Sequence, residues 1–182
     1  RVCRARGIAV EVVSDGLGFY VESNLAQLGL DDLPVFTNRN LVSGGGAGVS
    51  FPFGHPVCHV CGTCKRERVR AHQDDGRLVV FVGDGPSDRY AAWHADVTFA
   101  KDSLRAWCES AGVAIEPWRR LSDVTAWMER ALATGELPET PADLVRWRSA
   151  KPPRRPAFIC GPEAGLTGRP APMDPEAVAG LP

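Results

Sequence analysis

An apolar run that stops on glycine constrains this chain more than any other segment. Leu78-Val-Val-Phe-Val82 is apolar throughout, and it ends in Gly83-Asp-Gly-Pro-Ser-Asp88. Such a run reads as a strand buried on both faces, the kind a parallel sheet requires. Gly83 and Gly85 break the strand and let a ligand approach the backbone. Asp84 then stands at the carboxyl end of a central strand, where open α/β sheets bind their ligands. Asp88 follows at the start of a helix expected over Asp88–His94. Two carboxylates presented this way suit a hard divalent cation such as Mg2+, held by few protein oxygens and several waters. Gly and Asp are also ordinary at a strand-to-turn junction, so the strand context carries the reading.

A second strand end sharpens it. Ile8-Ala-Val-Glu-Val-Val13 stops at Ser14-Asp15-Gly16-Leu17-Gly18, and a helix is expected from Phe19 to Leu28. A hydroxyl at a strand end, followed by small residues with free amides, can hold a phosphate oxygen; the plainer role for Ser14 is a helix cap or turn residue. Lys65 opens a short basic helix running to His72, immediately before the Asp84 strand. A lone Lys on such a helix is ordinarily a solvated face residue. The order strand-Ser, Lys, strand-Gly-Asp-Gly-x-x-Asp is what stands out.

That order resembles the haloacid dehalogenase superfamily of phosphotransferases. Val13-Ser14-Asp15-Gly16 is similar to its second motif, Lys65 to its third, and Gly83-Asp84-Gly85-Pro86-Ser87-Asp88 to its acidic fourth. Gly62-Thr-Cys-Lys65 and Ala95-Asp-Val-Thr-Phe-Ala-Lys101 look like the phosphoserine-phosphatase-like branch, and among its members the methylthiopentenyl-phosphate phosphatase type. The resemblance implies an α/β fold, an incomplete Rossmann-like parallel sheet flanked by helices; the residues themselves suggest a small β-hairpin extension and a disordered Pro-rich tail. The resemblance covers residues 1–133 as the core, leaving 134–182 as a short helix and a Pro/Gly-rich tail.

The family nucleophile is an Asp in an Asp-x-Asp motif ending the first strand, and no such motif follows an apolar run here. Asp31-Asp32 and Asp74-Asp75 lie in polar turns. The resemblance therefore implies an amino-terminal truncation that removes the central strand, the nucleophile and a helical cap. The expected consequences are an inactive fragment and two unpaired strand edges, on Ile8–Val13 and Leu78–Val82, of a kind that invites aggregation. In the whole enzyme the resemblance implies a phosphomonoester hydrolase acting through an aspartyl-phosphate. Ser14 with the amides of Asp15 and Gly16 would hold phosphate. Lys65 would place charge on phosphate and nucleophile, Asp84 would ligate Mg2+, and Asp88 would orient Asp84 or a bound water.

Composition excludes other classes. A net charge of −1 leaves no electrostatic footprint for nucleic acid. No apolar stretch approaches the ~20 residues that span a bilayer. The expected partner is a small-molecule phosphate ester, and the expected location a reducing cytoplasm, because three of six cysteines crowd into Cys58-His-Val-Cys61-Gly-Thr-Cys64 rather than spreading as a disulfide framework. Cys58, Cys61 and Cys64, with His55, have a spacing that can wrap Zn2+; reduced thiols packed under the turn that delivers Lys65 are the favoured reading. A non-enzymatic phosphate- or metal-binding module, or a zinc-knuckle interaction module, is the alternative function. Elsewhere, short apolar runs Leu33–Thr37 and Asn40–Ser43 suggest a hairpin about Asn38-Arg39, followed by a glycine turn at 44–46. Further helices are expected over Ser103–Ala111, over Leu121–Leu132 with Ser122 as cap, and over Thr140–Trp147, with a short strand at Val97–Phe99.

Overall fold

The computed structural model describes residues 1–43, 46–56, 58 and 61–151, of Ser43 the backbone alone. The Pro-rich tail expected beyond Lys151 lies outside the described residues. Among the described residues the chain divides into two units, essentially Cys3–Lys65 and Arg66–Lys151, with the boundary at the start of one helix.

The first unit holds helices α1 (Val2–Ala5) and α2 (Gly18–Gln27) and strands β1 (Val12–Leu17), β2 (Val35–Ser43) and β3 (Gly46–Ser50), ordered β1-β2-β3. β1 pairs in parallel with the first half of β2 (Val12 with Val35, Val13 with Phe36), and β3 pairs antiparallel with its second half. The hairpin is therefore real but sits elsewhere than expected. Asn38-Arg39 runs straight through one long strand, and the second strand of the hairpin is Gly46–Ser50. The glycines misled because a strand containing two of them has little intrinsic β preference, yet Gly46 and Gly48 pair with Ser43 and Leu41. β1 also starts later and ends later than the Ile8–Val13 run, so Ser14 lies within the strand, at an irregularity between Val13 and Leu17. Among the described residues, those most buried in this unit are Thr37, Asn38, Thr63, Cys58 and Cys64, with no large aliphatic side chain among them. Polar burial of that kind stabilises only while every group is hydrogen-bonded.

The second unit holds α3 (Lys65–Asp74), β4 (Val80–Gly83), a 3-10 turn at Pro86–Asp88, α4 (Arg89–His94), β5 (Val97–Ala100), α5 (Asp102–Ala111), β6 (Glu116–Pro117), α6 (Leu121–Thr134) and α7 (Pro141–Ser149). Its sheet is wholly parallel, ordered β4-β5-β6. Leu104, Cys108, Ala111, Ala92, Ala100 and Val113 form the core on one side, joined by Phe81, Trp93, Trp107 and Ile115. Val69 of α3 packs with Ala91 and Ala95 against Val79 and Phe81. Phe99 is buried edge-to-face against Trp127 of α6, ring centroids 5.3 Å apart.

Two expectations need correction here. Leu78–Val82 is half-buried rather than buried on both faces, because β4 is a sheet edge, bonded to β5 alone. β1 is likewise an edge in its own sheet. Ser122 does not cap α6: the cap position is Arg120, and Asp123 instead accepts the Arg119 and Arg120 N–H groups at 2.9 and 3.0 Å. A carboxylate one turn in satisfies the orphan donors better than a hydroxyl already inside the helix. Thr140 does cap α7, its hydroxyl oxygen accepting the Asp143 N–H at 3.1 Å with Pro141 in the first turn.

Candidate active site

In the first unit the structure brings Ser14, Asp15, Gly16 and Lys65 into one hydrogen-bonded system. Ser14 Oγ accepts the Gly16 N–H at 3.0 Å, so that amide, expected to be free for a ligand, is already used. Tyr20, from the first turn of α2, covers the same loop: a β-carbon on Gly16 would fall 2.1 Å from the Tyr20 hydroxyl, so a larger residue there would have to displace that exposed ring. The Asp15 carboxylate accepts the Thr63 N–H at 2.7 Å, and the Thr63 carbonyl accepts the Lys65 N–H at 3.0 Å. Asn38 closes the network from β2, donating to the Asp15 carbonyl at 2.7 Å and accepting from the Thr63 hydroxyl at 3.2 Å. Asp15 thus ties the turn that launches Lys65 to the loop that carries Ser14. Its side chain serves architecture, with Asn38 and Thr63 as partners that the sequence did not single out. Both are buried, where an unpaired polar group costs about 1–3 kcal/mol.

The same turn carries the cysteines. Cys58 and Cys64 are buried and Cys61 partly so, all three free. Burial pushes the Cys61 thiol up to about 12, with the negative charges of Asp15, Cys64 and Cys58 adding to the rise and Lys65 opposing it. A thiol so raised is a poor nucleophile at neutral pH. Among the described residues no group of three or more His, Cys, Asp or Glu side chains is arranged to hold a metal ion. His55 Nδ1 instead accepts the Cys58 N–H at 3.2 Å.

In the second unit Asp84 and Asp88 come together at the carboxyl end of β4. Asp88 is buried, and its Oδ2 accepts the Asp84 and Gly85 N–H groups at 2.9 and 3.0 Å. It fixes the backbone of the loop, leaving the exposed Asp84 side chain directed by that backbone. The Asp84 carbonyl accepts from the Leu104 N–H at 3.1 Å and from Ser103 Oγ at 3.2 Å, which ties the loop to α5 as well. One carboxylate spent on amides and one left to solvent is a donor set for a hydrated Mg2+, which keeps most of its waters and takes one or two protein oxygens.

The two glycines of the loop are not equivalent. A β-carbon on Gly83 would lie 2.7 Å from Asp88 Oδ2, whereas one on Gly85 would meet nothing nearer than 3.9 Å. Gly83→Ala is therefore expected to push Asp88 off both amides, losing roughly 1–3 kcal/mol of stability, while Gly85→Ala stays within about 0.5 kcal/mol. Urea titration of the two variants checks this; equal losses would show that the Asp88 clamp is not what holds the loop.

No family model matches the chain. It is 32% identical over 123 residues to the 2-hydroxy-3-keto-5-methylthiopentenyl-1-phosphate phosphatase of Exiguobacterium sibiricum, covering 66% of this chain and 56% of that protein. Against the enzyme of the same name from Bacillus mycoides it is 30% identical over 129 residues, covering 69% of this chain and 58% of that one. The chain resembles the haloacid dehalogenase superfamily of phosphatases. It spans less than two thirds of the length of these curated relatives. Among solved structures it is similar to phosphoserine phosphatase in apo form, with a TM-score of 0.48 and 25% identity over 68% of this chain and 60% of that one. No described helix is long and apolar enough to cross a membrane.

Proposed function

We propose that this protein is the phosphate- and metal-holding part of a Mg2+-dependent phosphomonoester hydrolase that works through an aspartyl-phosphate. The observation that carries the reading is the β4 carboxyl end, where Asp88 holds two amides and leaves Asp84 exposed. Similarity to curated proteins named as phosphatases supports it. When bound at Asp84, Mg2+ would neutralise charge on the transferring phosphoryl oxygens. Ser14 donates a hydrogen bond to one phosphoryl oxygen, since its Oγ accepts from Gly16 and keeps its proton to give. Lys65 supplies a point charge that strengthens in the transition state. The nucleophilic Asp belongs to an Asp-x-Asp strand not found in this sequence, so the 182-residue protein is expected to lack turnover. The reading takes 1–133 as the catalytic core and 134–182 as an appendage. The substrate is a small phosphate ester of the class the relatives' names describe, and the setting is cytoplasmic.

The test pairs two neighbours on one turn, in the protein extended upstream to include the Asp-x-Asp strand. Lys65→Ala is expected to lower Mg2+-dependent hydrolysis of an aryl phosphate by about 10²–10³-fold with the melting temperature unchanged. Cys61→Ser is expected to lower the melting temperature while activity per folded molecule persists, since a partly buried hydroxyl then needs a partner. The reverse outcome would assign chemistry to the cysteine and remove it from Lys65.

A further inference from the structure

The register of the second sheet sets three residues side by side at its carboxyl edge. Gly83 pairs with Ala100 and Ala100 with Pro117, in two parallel ladders. The next residue on each strand is Asp84, Lys101 and Trp118. Lys101 and Trp118 are also both bonded to the residue before Asp84: the Gly83 carbonyl accepts from the Trp118 indole N–H at 3.2 Å and from the Lys101 N–H at 3.4 Å. Lys101 Nζ lies 4.4 Å from the centre of the Trp118 ring, with its side chain 30% exposed. Its ion-pair partner is the exposed Asp102 at 3.8 Å, beyond hydrogen-bond distance. No hydrogen bond from Nζ is found among the described residues, so the ammonium keeps donor capacity for a ligand beside a ring that holds the cation by its π face.

We propose that Lys101, seated on Trp118, contacts the organic part of the phosphate ester and selects esters that carry a second anionic oxygen, such as a carboxylate or enolate. This rests on the phosphatase reading, in which Lys65 answers the phosphate charge and Asp84 the metal. A further ammonium in the row beside Asp84 then meets negative charge elsewhere on the ligand, and the indole provides a flat wall for its carbon chain. Trp118 is a positioning residue in this scheme: it fixes both the Gly83 carbonyl and the ammonium.

Trp118 is also a built-in reporter. The 182-residue protein, with Mg2+ present, is titrated with methyl phosphate and with phosphoglycolate, a phosphate ester bearing a carboxylate. Binding is followed at the indole N–H resonance of Trp118, assigned by its loss in Trp118→Phe. The expected result is a shift on adding phosphoglycolate and binding roughly threefold to fivefold tighter than that of methyl phosphate, the worth of one partly screened charge pair. Lys101→Ala should abolish that preference while methyl phosphate binds as before, and Lys101→Arg should keep most of it. Survival of the preference in Lys101→Ala, an unmoved indole, or no phosphoglycolate binding would overturn the proposal. Failure of the phosphatase reading looks different: the Lys101-dependent preference persists, yet the upstream-extended protein hydrolyses no phosphate ester.

Discussion

Asp84→Asn, in the protein extended upstream to include the Asp-x-Asp strand, is expected to lower Mg2+-dependent hydrolysis of an aryl phosphate by about 10²–10³-fold or more. The substitution is nearly isosteric. Asp84 is exposed, and its backbone is held by Asp88, Leu104 and Ser103, none of which touches the Asp84 carboxylate. The fold therefore has no reason to change, and the loss reports the missing negative charge at the metal. Ser14→Ala provides the scale. It removes one hydrogen bond worth about 0.5–1.5 kcal/mol net, or roughly tenfold in rate. Excess Mg2+ should partly rescue Asp84→Asn and leave Ser14→Ala unchanged. Equal, mild losses in both would place the metal elsewhere.

Arg148→Ala is expected to cost about 3 kcal/mol of stability, the lower end of the range for breaking a buried pair. Arg148 reaches from α7 to Asp96 at the start of β5, its Nε at 2.7 Å from Oδ1 and its second amino nitrogen at 2.8 Å from Oδ2. The same nitrogen donates to the Arg77 carbonyl at 2.8 Å, and Asp96 Oδ2 accepts the Val79 N–H at 2.9 Å. Lys151 donates to the Asp96 carbonyl. The Asp96 side chain is 4% exposed and that of Arg148 30%, so solvent screens the pair only from the arginine side. Removing the arginine strands a buried carboxylate; Asp96→Asn keeps the Val79 bond and leaves Arg148 able to reach water, so it should cost less.

The pair also sets an acid limit. Burial raises the Asp96 pKa, but hydrogen bonds from Arg148, the Val79 amide and Gln73, with the Arg148 charge, outweigh it and hold the carboxyl below its ordinary value. A depressed folded-state pKa stabilises above the unfolded value of about 3.9, and that stability is lost as pH falls through the folded value. Without Arg148 that acid-labile contribution shrinks, so the variant, less stable at neutral pH, should lose less further stability than the parent as pH falls through the acid range. Melting temperatures measured from acid to neutral pH check this. Parallel curves would show that Asp96 is not the titrating group.

How much could be read in advance depended on where each element takes its partners. The β4 strand, its glycine break and the Asp84–Asp88 pair were legible because apolar periodicity and turn chemistry are local. The α2, α3, α5 and α7 helices followed from the same local signals. Asn38 and Thr63 were not legible: an ordinary Asn in a strand and a Thr in a turn acquire meaning only through pairing with Asp15, which lies 23 residues from Asn38 and 48 from Thr63. Trp118 escaped for a related reason. β6 is two residues long, too short for any periodic signal, and its register alone puts Trp118 beside Lys101. The half-burial of β4 was hidden because a composition suited to a central strand says nothing about whether a neighbour is present on each side.

The most direct test of the account is to locate the metal on the 182-residue protein itself. Mn2+, a paramagnetic stand-in for Mg2+, is added in small amounts while backbone amide resonances are recorded. The account predicts selective broadening at Asp84 and Gly85 and at Ser103 and Leu104, whose groups bond the Asp84 carbonyl, and its disappearance in Asp84→Asn. Broadening centred on Cys58, Cys61 and Cys64, or broadening at Asp84 that survives Asp84→Asn, would contradict it.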